Sequence, residues 1–257
     1  MIAAASGVYW VGWRRGRAQL DDPGRRWWRP WLFGAGLAAV AVALVSPLDG
    51  RAHASLAAHM VQHVLLLAVA PPLLVASGPL PVLLAGLPRA GRAVAAHGSS
   101  VVAASMRSHR WPAWMAAALV VQTAVMWGWH APALYQAALD DPAVHAVEHL
   151  AFLGGGLLFW GVVAAAVSSR RGAVVPAMFV AALPGTALGA ALTLAARPWY
   201  AAYPSIESQQ LAGVVMWGFA GAVYVVAAGV VFGLWLAAEG AAEDGGAVPA
   251  AVTMGAT

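Results

Sequence analysis

Long apolar stretches, separated by short polar segments, run along most of the chain. A helix needs about 20 apolar residues to cross a hydrocarbon core of about 30 Å, and shorter helices cross only with help from their neighbours. Seven stretches meet these conditions, so the pattern predicts an all-α, polytopic integral membrane protein, a bundle of seven transmembrane helices. The predicted spans are residues 1–13, 31–45, 56–84, 111–130, 142–167, 174–195 and 209–238.

Two of the predicted spans are irregular. The first has only 13 residues, which cover about 20 Å as a helix. The third is long, and Pro71-Pro72 and Gly78-Pro79 interrupt it, so we expect a kinked or split helix there because proline removes an amide donor. Residues 1–238 are predicted to form a single transmembrane domain, and the Ala/Gly-rich residues 239–257 a disordered cytoplasmic tail.

The composition supports insertion into a lipid bilayer. Hydrophobic residues make up 61% of the chain and charged residues 9%, against roughly 25% charged residues in a soluble domain. The chain has no cysteine, which excludes disulfides and thiolate metal sites, so any metal must be held by His, Met, carboxylate or backbone groups. The net charge of +4 is poor support for nucleic acid as a partner, because in a membrane protein the positions of the basic residues set orientation.

All basic residues other than histidine are arginines, and twelve of the 14 fall in alternate loops. These three loops follow the first, third and fifth predicted spans, and only Arg51 and Arg197 lie on the other side. By the positive-inside rule the N-terminus is outside and the C-terminus is cytoplasmic. The arginines on the predicted cytoplasmic side are Arg14, Arg15, Arg17, Arg25, Arg26, Arg29, Arg89, Arg92, Arg107, Arg110, Arg170 and Arg171.

This orientation brings six of the eight histidines to the outer side of the membrane. His97 and His109 fall in a cytoplasmic loop, where we expect solvated side chains. Residues four apart on a helix face the same side, so two pairs with that spacing each offer two imidazole nitrogens to one ion. Ionisable residues within spans are costly and usually functional, and a shared metal site is therefore predicted. The outer histidines are His53, His59, His63, His130, His145 and His149.

Two further ligand types accompany the histidines. Glu148 stands beside His149 and can orient that ring or supply charge, although a glutamate near a helix N-terminus is also favoured by the helix dipole. Met126 lies one turn before His130, while Met60 and Met216 also fall in outer halves of spans; thioethers favour Cu(I), but methionine is also ordinary core filler. The predicted metal ligands are His59, His63, His130, His145, Glu148, His149 and Met126.

Three other functions are compatible with histidines in a membrane. A haem-binding redox protein needs opposed imidazoles from two helices, which pairs spaced four apart fit poorly. A metal transporter should carry polar groups through the midplane, where spans five and six offer Thr186 and Thr193 but no inner carboxylate. A metal-dependent hydrolase could use three histidines and a glutamate base, but no substrate cleft can be inferred.

Several ordered motifs resemble the CtaG family of membrane proteins that assist assembly of bacterial cytochrome c oxidases. They are "AHMVQHVLLLAVAPPLL" with a following "GPL", "MWGWHAPALYQAAL", "HAVEHLAFLGGGLLFW" and "QQLAGVVMW". The sequence departs from the family pattern at Ser208, where an acidic residue is expected and Glu207 stands one place earlier, and at "MWGFAG", which lacks the expected proline. The family's polar motif residues fall on His59, Gln62, His63, His130, His145, Glu148, His149, Gln209 and Gln210.

The resemblance implies a seven-span, multi-pass protein of the bacterial plasma membrane that is an accessory factor and not an enzyme. Its expected cofactor is copper, bound and relayed at the extracytoplasmic side, with zinc as an alternative occupant. Its expected partners are cytochrome c oxidase subunits and a copper donor, besides the lipid bilayer.

The arginine distribution makes a topology prediction for the loop of residues 87–110. A cysteine introduced at Ser99 should resist an impermeant thiol reagent in intact cells and react after the membrane is opened. Because the chain has no other cysteine, labelling reports this site alone. Ready labelling in intact cells would invert the topology and contradict the outer location of the histidines.

Overall fold

The structure is a computed structural model that describes residues 2–16, 27–167 and 169–246. These residues form helices joined by short connections, with no strand among them. Met1, Arg17, Arg25 and Arg26 lie outside the described residues. The helices are α1 Ile2–Gly16, α2 Arg29–Val45, α3 Pro47–Ala52, α4 Leu56–Val64, α5 Ala70–Ala76, α6 Pro79–Gly86, α7 Arg89–Arg107, α8 Trp111–Trp129, α9 Pro132–Asp140, α10 Pro142–Val167, α11 Arg171–Leu194 and α12 Ile206–Gly246, with a π-helical turn at Leu65–Val69 between α4 and α5.

Four helical segments in the described part of the chain are long and apolar enough to cross a membrane. They are Leu56–Ala76, Pro142–Val167, Arg171–Leu194 and Ile206–Gly240. Helix α2 is apolar but has only 17 residues, and the 19-residue α8 carries tryptophans and Gln122 that lower its mean hydropathy. The all-helical membrane class therefore agrees with the sequence, while the count of seven spans and their direction stay predictions.

The third predicted span is distorted just before Pro71-Pro72 and interrupted before Gly78-Pro79, as the prolines predict. Pro71 and Pro72 have no amide hydrogen to give to the carbonyls one turn earlier, and the helix widens into the π-helical turn just before them. The amide of Ala70 bonds the carbonyl of Leu65, five residues back. The helix ends at Ala76, and Gly78 then takes a left-handed conformation with φ 57° before α6 begins.

Helices occupy two segments that the hydropathy pattern leaves as loops. The predicted cytoplasmic loop contains α7, and the predicted outer loop of residues 131–141 contains α9. At the C-terminal end α12 continues to Gly246, past the predicted end of the last span at residue 238. The part of the predicted tail up to that residue is therefore helical, and residues 247–257 lie outside the described chain.

The broken helix that runs through α4 and α5 lies at the centre of the bundle. Within its most apolar window 61% of the residues are buried, against 17% for the window in α12. Helices α2, α10 and α12 surround it. Its buried position means that the side chains of α4 meet those of its neighbours rather than lipid.

The described arginine side chains other than Arg51 and Arg197 gather at one end of the bundle. Arg15 and Arg92 both donate to the carbonyl of Ala85, and Arg170 donates to the carbonyls of Arg107 and Ser108. The N-terminal ends of α4, α10 and α12 lie at the opposite end, because these helices alternate in direction with α2, α8 and α11. The separation of arginines from outer histidines that the loops predict is therefore present in the fold.

Helices α11 and α12 form a close antiparallel pair through two glycines. A Cβ atom placed on Gly189 would lie 2.8 Å from Cβ of Trp217 and 2.9 Å from the carbonyl oxygen of Gly213. A Cβ atom on Gly213 would lie 2.5 Å from the carbonyl oxygen of Gly189. Small residues at such crossings let helix backbones approach within a membrane. A hydrogen bond from Gln122 to the Tyr224 hydroxyl, 2.5 Å long, ties α8 to the same pair.

The glycine contact predicts a position-specific loss of stability. We expect Gly213→Ala to lower the free energy of unfolding by about 1–3 kcal/mol, because the added methyl group meets a backbone oxygen that cannot move freely. Gly218→Ala on the same helix is the matched control, since a Cβ there meets nothing within 4 Å. Unfolding followed by circular dichroism in detergent micelles measures both; equal midpoints for the two variants would contradict the close crossing.

Candidate metal centre

Two helices present the candidate ligands from their first turns. Helix α4 begins after Ser55, whose hydroxyl accepts a hydrogen bond from the amide of Ala58, and it carries His59 and His63 on one face. Helix α10 begins with Pro142 at a position that needs no amide hydrogen, and Asp141 accepts from the amide of Ala143. Its early turns carry His145, Glu148 and His149. Both sets therefore stand at the same end of the bundle.

Glu148 is the centre of this cluster. Its carboxylate is completely buried, and its two oxygens point toward the imidazoles of both helices. Oε1 lies 3.5 Å from Nε2 of His63, and Oε2 lies 3.7 Å from Nε2 of His59 and 3.9 Å from Nε2 of His145. The ring of His149 completes the group, with its centroid 5.9 Å from that of His63.

The buried polar atoms of the cluster have no hydrogen-bond partner. They are Nε2 of His59, both ring nitrogens of His63, Nε2 of His145, both oxygens of Glu148 and Nε2 of His149. A buried carboxylate without a partner costs several kcal/mol, and unpaired buried nitrogens add to that cost. Such a concentration of unsatisfied donor atoms is typical of a site that holds a cation.

The spacing of the atoms also fits a bound metal ion. Metal bonds of about 2.0–2.1 Å that meet at a tetrahedral angle hold their ligand atoms about 3.3–3.4 Å apart. The shortest nitrogen–oxygen separation, 3.5 Å, is too long for a good hydrogen bond and close to that value. One ligand atom from each of His59, His63, Glu148 and His149 lies within 4.8 Å of all the others. These four residues, which we call the Glu148 centre, could hold a metal ion.

The ligand types of the Glu148 centre limit which metal ions it can bind. Three imidazoles and one carboxylate suit Zn(II), Cu(II) and other divalent transition metals better than Mg²⁺ or Ca²⁺, which prefer oxygen ligands. His145 lies at the edge of the centre, with 12% of its side chain exposed and its ring centroid 4.1 Å from that of His149. His53 is exposed, and its ring lies 5.9 Å from that of His145.

His130 and Met126 take places other than the Glu148 centre. His130 is buried beside it, with its ring centroid 5.3 Å from that of His63 and its Nδ1 2.7 Å from the carbonyl oxygen of Met126. The sulfur of Met126 lies toward Gly185 on α11. The thioether that does face His130 belongs to Met60, whose Sδ lies 3.2 Å from Nε2. The helical spacing of Met126 from His130 therefore brings together a backbone carbonyl and an imidazole.

Three tyrosines that the sequence analysis did not single out surround the site. The hydroxyl of Tyr135 on α9 lies 2.8 Å from Nδ1 of His59, which leaves Nε2 of that ring toward Glu148. Tyr200 donates to the carbonyl of His130, and its ring stacks on Tyr135 with centroids 4.1 Å apart. Tyr203 donates to the carbonyl of Ala52. Nothing in a single sequence marks these tyrosines, because they come from segments that meet only in the fold.

The glutamines that the family resemblance points to have structural partners. Gln62 donates to the carbonyl of Ala43 at 2.7 Å and to Asp49 Oδ1 at 3.0 Å, which joins α4 to α2 and α3. Gln209 accepts from the amide of Trp199 at 2.6 Å and so fixes the segment that carries Tyr200 and Tyr203. Gln210 is exposed.

Glu207, the acidic residue near the start of α12, takes part in the hydrogen bonds of the N-terminal turn of that helix. Ser205 donates to Oε2 of Glu207 and accepts from the amide of Ser208, so both hydroxyl and carboxylate contribute to the N-terminal turn. His97 on α7 and His109 are both exposed at the arginine-rich end, away from the Glu148 centre. The displaced acidic residue and these two histidines therefore add no ligand to the centre.

Comparison with known proteins agrees with the motifs. The sequence profile of the Caa3_CtaG family, described as the cytochrome c oxidase caa3 assembly factor, matches residues 7–238. No curated protein and no solved structure gives a significant match. Since the matched region includes every residue of the Glu148 centre and nearly the whole chain, the protein belongs to the Caa3_CtaG family of cytochrome c oxidase assembly factors.

Proposed function

We propose that this protein is a non-catalytic accessory factor of the bacterial plasma membrane that binds copper at the Glu148 centre and relays it during assembly of cytochrome c oxidase. The observation that carries the proposal is the buried convergence of His59, His63 and His149 on the Glu148 carboxylate, with their ligand atoms unpartnered. The oxidase subunits are its proposed partners, with a copper donor upstream. Zinc is a competing occupant, because the same donors bind it.

The surroundings of the centre support a binding and release role. The access side is polar, since His145 is partly exposed and His53 beyond it is exposed. The inner side is closed by Phe152, which is fully buried and whose ring lies 4.3 Å from that of His63. An ion can therefore be exchanged with the outer side, while the described core beside the centre is mainly apolar, and the buried Gln122 of α8 is hydrogen-bonded to Tyr224.

The packing of the imidazoles disfavours a haem between them. The ring centroids within the cluster are 4.1–6.2 Å apart, and the rings meet mostly edge to face. A haem with two axial histidines needs opposed rings with the porphyrin between them, and these rings are already in contact with one another. A single ion fits the same space through bonds of about 2 Å.

The Glu148 centre makes a prediction about the metal content of the purified protein. The double variant His63→Ala/His149→Ala should lose bound metal, because it removes two of the three imidazoles from the Glu148 centre. Elemental analysis measures the metal in protein that is purified in detergent without added metal. The same analysis is repeated after the protein is loaded with Cu(II) or Zn(II). Full metal occupancy in the double variant would refute the site.

A matched control separates loss of ligands from loss of histidines in general. His97→Ala/His109→Ala removes the same number of imidazoles from exposed positions at the arginine-rich end and should keep wild-type occupancy.

Glu148→Gln preserves the shape of the side chain and removes its charge, so we expect weaker binding of a divalent ion by about 10–100-fold. Equal metal binding by Glu148→Gln and wild type would remove the carboxylate from the ligand set.

The proposed role also makes a prediction about the oxidase in cells. Affinity alone does not identify the physiological ion, because copper outcompetes zinc at almost any imidazole site. In a strain that lacks the gene and is grown under copper limitation, the terminal oxidase should contain less copper and show lower activity. Complementation with wild type or with His97→Ala should restore both, and complementation with His63→Ala should not. A fully copper-loaded, active oxidase from the deletion strain would overturn the assembly role of this metal centre.

A further inference from the structure

Met60 and His130 form an unusual buried contact next to the Glu148 centre. The sulfur of Met60 lies 3.2 Å from Nε2 of His130, and the two residues are 0% and 2% exposed. They come from α4 and from the residue that ends α8, so the contact joins two separate helices. Neither atom belongs to the Glu148 centre.

The hydrogen bonding of His130 leaves this contact without a hydrogen atom. Nδ1 lies 2.7 Å from the carbonyl oxygen of Met126, which requires the hydrogen to be on Nδ1, because a lone pair there would face another lone pair. In the neutral ring, Nε2 then has only its lone pair, and a thioether sulfur has no hydrogen to give. Two electron-pair donors thus face each other in a buried contact.

The distance suits two ligands of the same ion. Bonds of about 2.1 Å to nitrogen and about 2.3 Å to sulfur, meeting at a tetrahedral angle, separate the two donors by about 3.6 Å. A small outward movement of the flexible methionine from 3.2 Å reaches that value. A third donor is close, since the ring of His63 lies 5.3 Å from that of His130 and both its nitrogens lack partners.

We propose that Met60 Sδ and His130 Nε2 form a second metal position, selective for Cu(I), next to the Glu148 centre, with His63 as the donor that both positions share. Thioether and imidazole are ligands that favour soft Cu(I), whereas the carboxylate and imidazoles of the Glu148 centre suit divalent ions. This inference rests on the proposed function, because the second position receives copper from the Glu148 centre. The imidazoles of that centre also bind Cu(I), so the copper passes as Cu(I) through the shared His63 with no change of oxidation state. The specific donors of the second position are different residues.

The donors form a continuous series that leads from a partly exposed side chain to buried ones. His145 at the edge is partly exposed, the four residues of the Glu148 centre are buried, and the buried His130 lies next to His63. Exchange of one ligand at a time lets an ion move along such a series without becoming free in an apolar interior. His130 is held for this role from two sides, since Tyr200 donates to its carbonyl oxygen and its Nδ1 donates to Met126.

The test uses the full-length protein in detergent, loaded with Cu(I) under anaerobic reducing conditions. X-ray absorption at the copper edge should detect a sulfur neighbour at about 2.3 Å in wild type. Met60→Leu, a volume-conserving change that keeps the fold, should lose the sulfur neighbour and weaken Cu(I) binding about tenfold or more in competition with a Cu(I)-specific chelator. Its Zn(II) occupancy at the Glu148 centre should not change.

Met126→Leu is the matched control. It removes a thioether that lies one helical turn from His130 in the sequence but faces Gly185 in the fold, so the copper–sulfur signal and the Cu(I) affinity should stay as in wild type. Absence of a sulfur neighbour in wild-type protein, or its loss in Met126→Leu and not in Met60→Leu, would reduce the contact to ordinary packing of sulfur against an aromatic ring and overturn the inference.

The two metal positions fail separately. Zn(II) bound at the Glu148 centre without any copper–sulfur signal refutes the second position and leaves the Glu148 centre in place. A copper–sulfur signal in protein that binds no divalent ion supports the second position and refutes the Glu148 centre. In His149→Ala we expect weaker Zn(II) binding with the copper–sulfur signal retained, since His149 belongs to the Glu148 centre alone.

Discussion

A buried carboxylate that faces unpartnered imidazoles is the constraint on which the site depends. Glu148 has no exposed surface, and neither of its oxygens has a hydrogen-bond partner. In an apolar interior that arrangement is stable only if the carboxylate charge is neutralised, by a proton on the carboxylate or on an imidazole or by a bound cation. The positions of His59 and His63 opposite the carboxylate make the site ready for either, and the metal-like spacing favours a cation.

The fold around the carboxylate holds the ligands by their backbones and their second nitrogens. Gln62 joins α4 to its neighbours, and Tyr135 meets the ring nitrogen of His59 that faces away from Glu148. Such outer contacts fix ring orientation and raise metal affinity. On the inner side, Gly156 permits α10 to approach the π-helical turn, since a Cβ there would lie 2.6 Å from the carbonyl oxygen of Leu67. The break in the central helix is thus part of the same packing that closes the site from below.

Membership in a family of oxidase assembly factors gives this metal-ligand cluster a biological context. Copper entering an oxidase must be held tightly enough to be kept from other ligands and loosely enough to be passed on. In the proposed relay, the Glu148 centre and the Met60–His130 pair meet both requirements through ligand exchange, because the two positions differ in softness and share His63. Copper that moves as Cu(I) between the two positions needs no change of oxidation state.

The sequence by itself determined the all-helical membrane class and the separation of most arginines, at one end of the bundle, from six of the histidines at the other. Hydropathy and charge act locally, and consecutive helices that cross a bilayer must alternate in direction. The end of the bundle at which a residue lies therefore follows from its position in the sequence. The distortion of the helix just before Pro71 was likewise predictable, because proline affects the turn that precedes it. The helices α7 and α9 were not, since their residues also suit a loop.

Only the tertiary structure decided which side chains meet. Spacing places Met126 next to His130 on one helix, yet the sulfur that faces His130 belongs to Met60 on another. The separation of His130 from the Glu148 centre, and the contact of Tyr135 with His59, depend on how each helix is rotated about its axis. That rotation is set by packing between distant segments, such as the close approach at Gly156, and it cannot be read from the periodicity of any one helix.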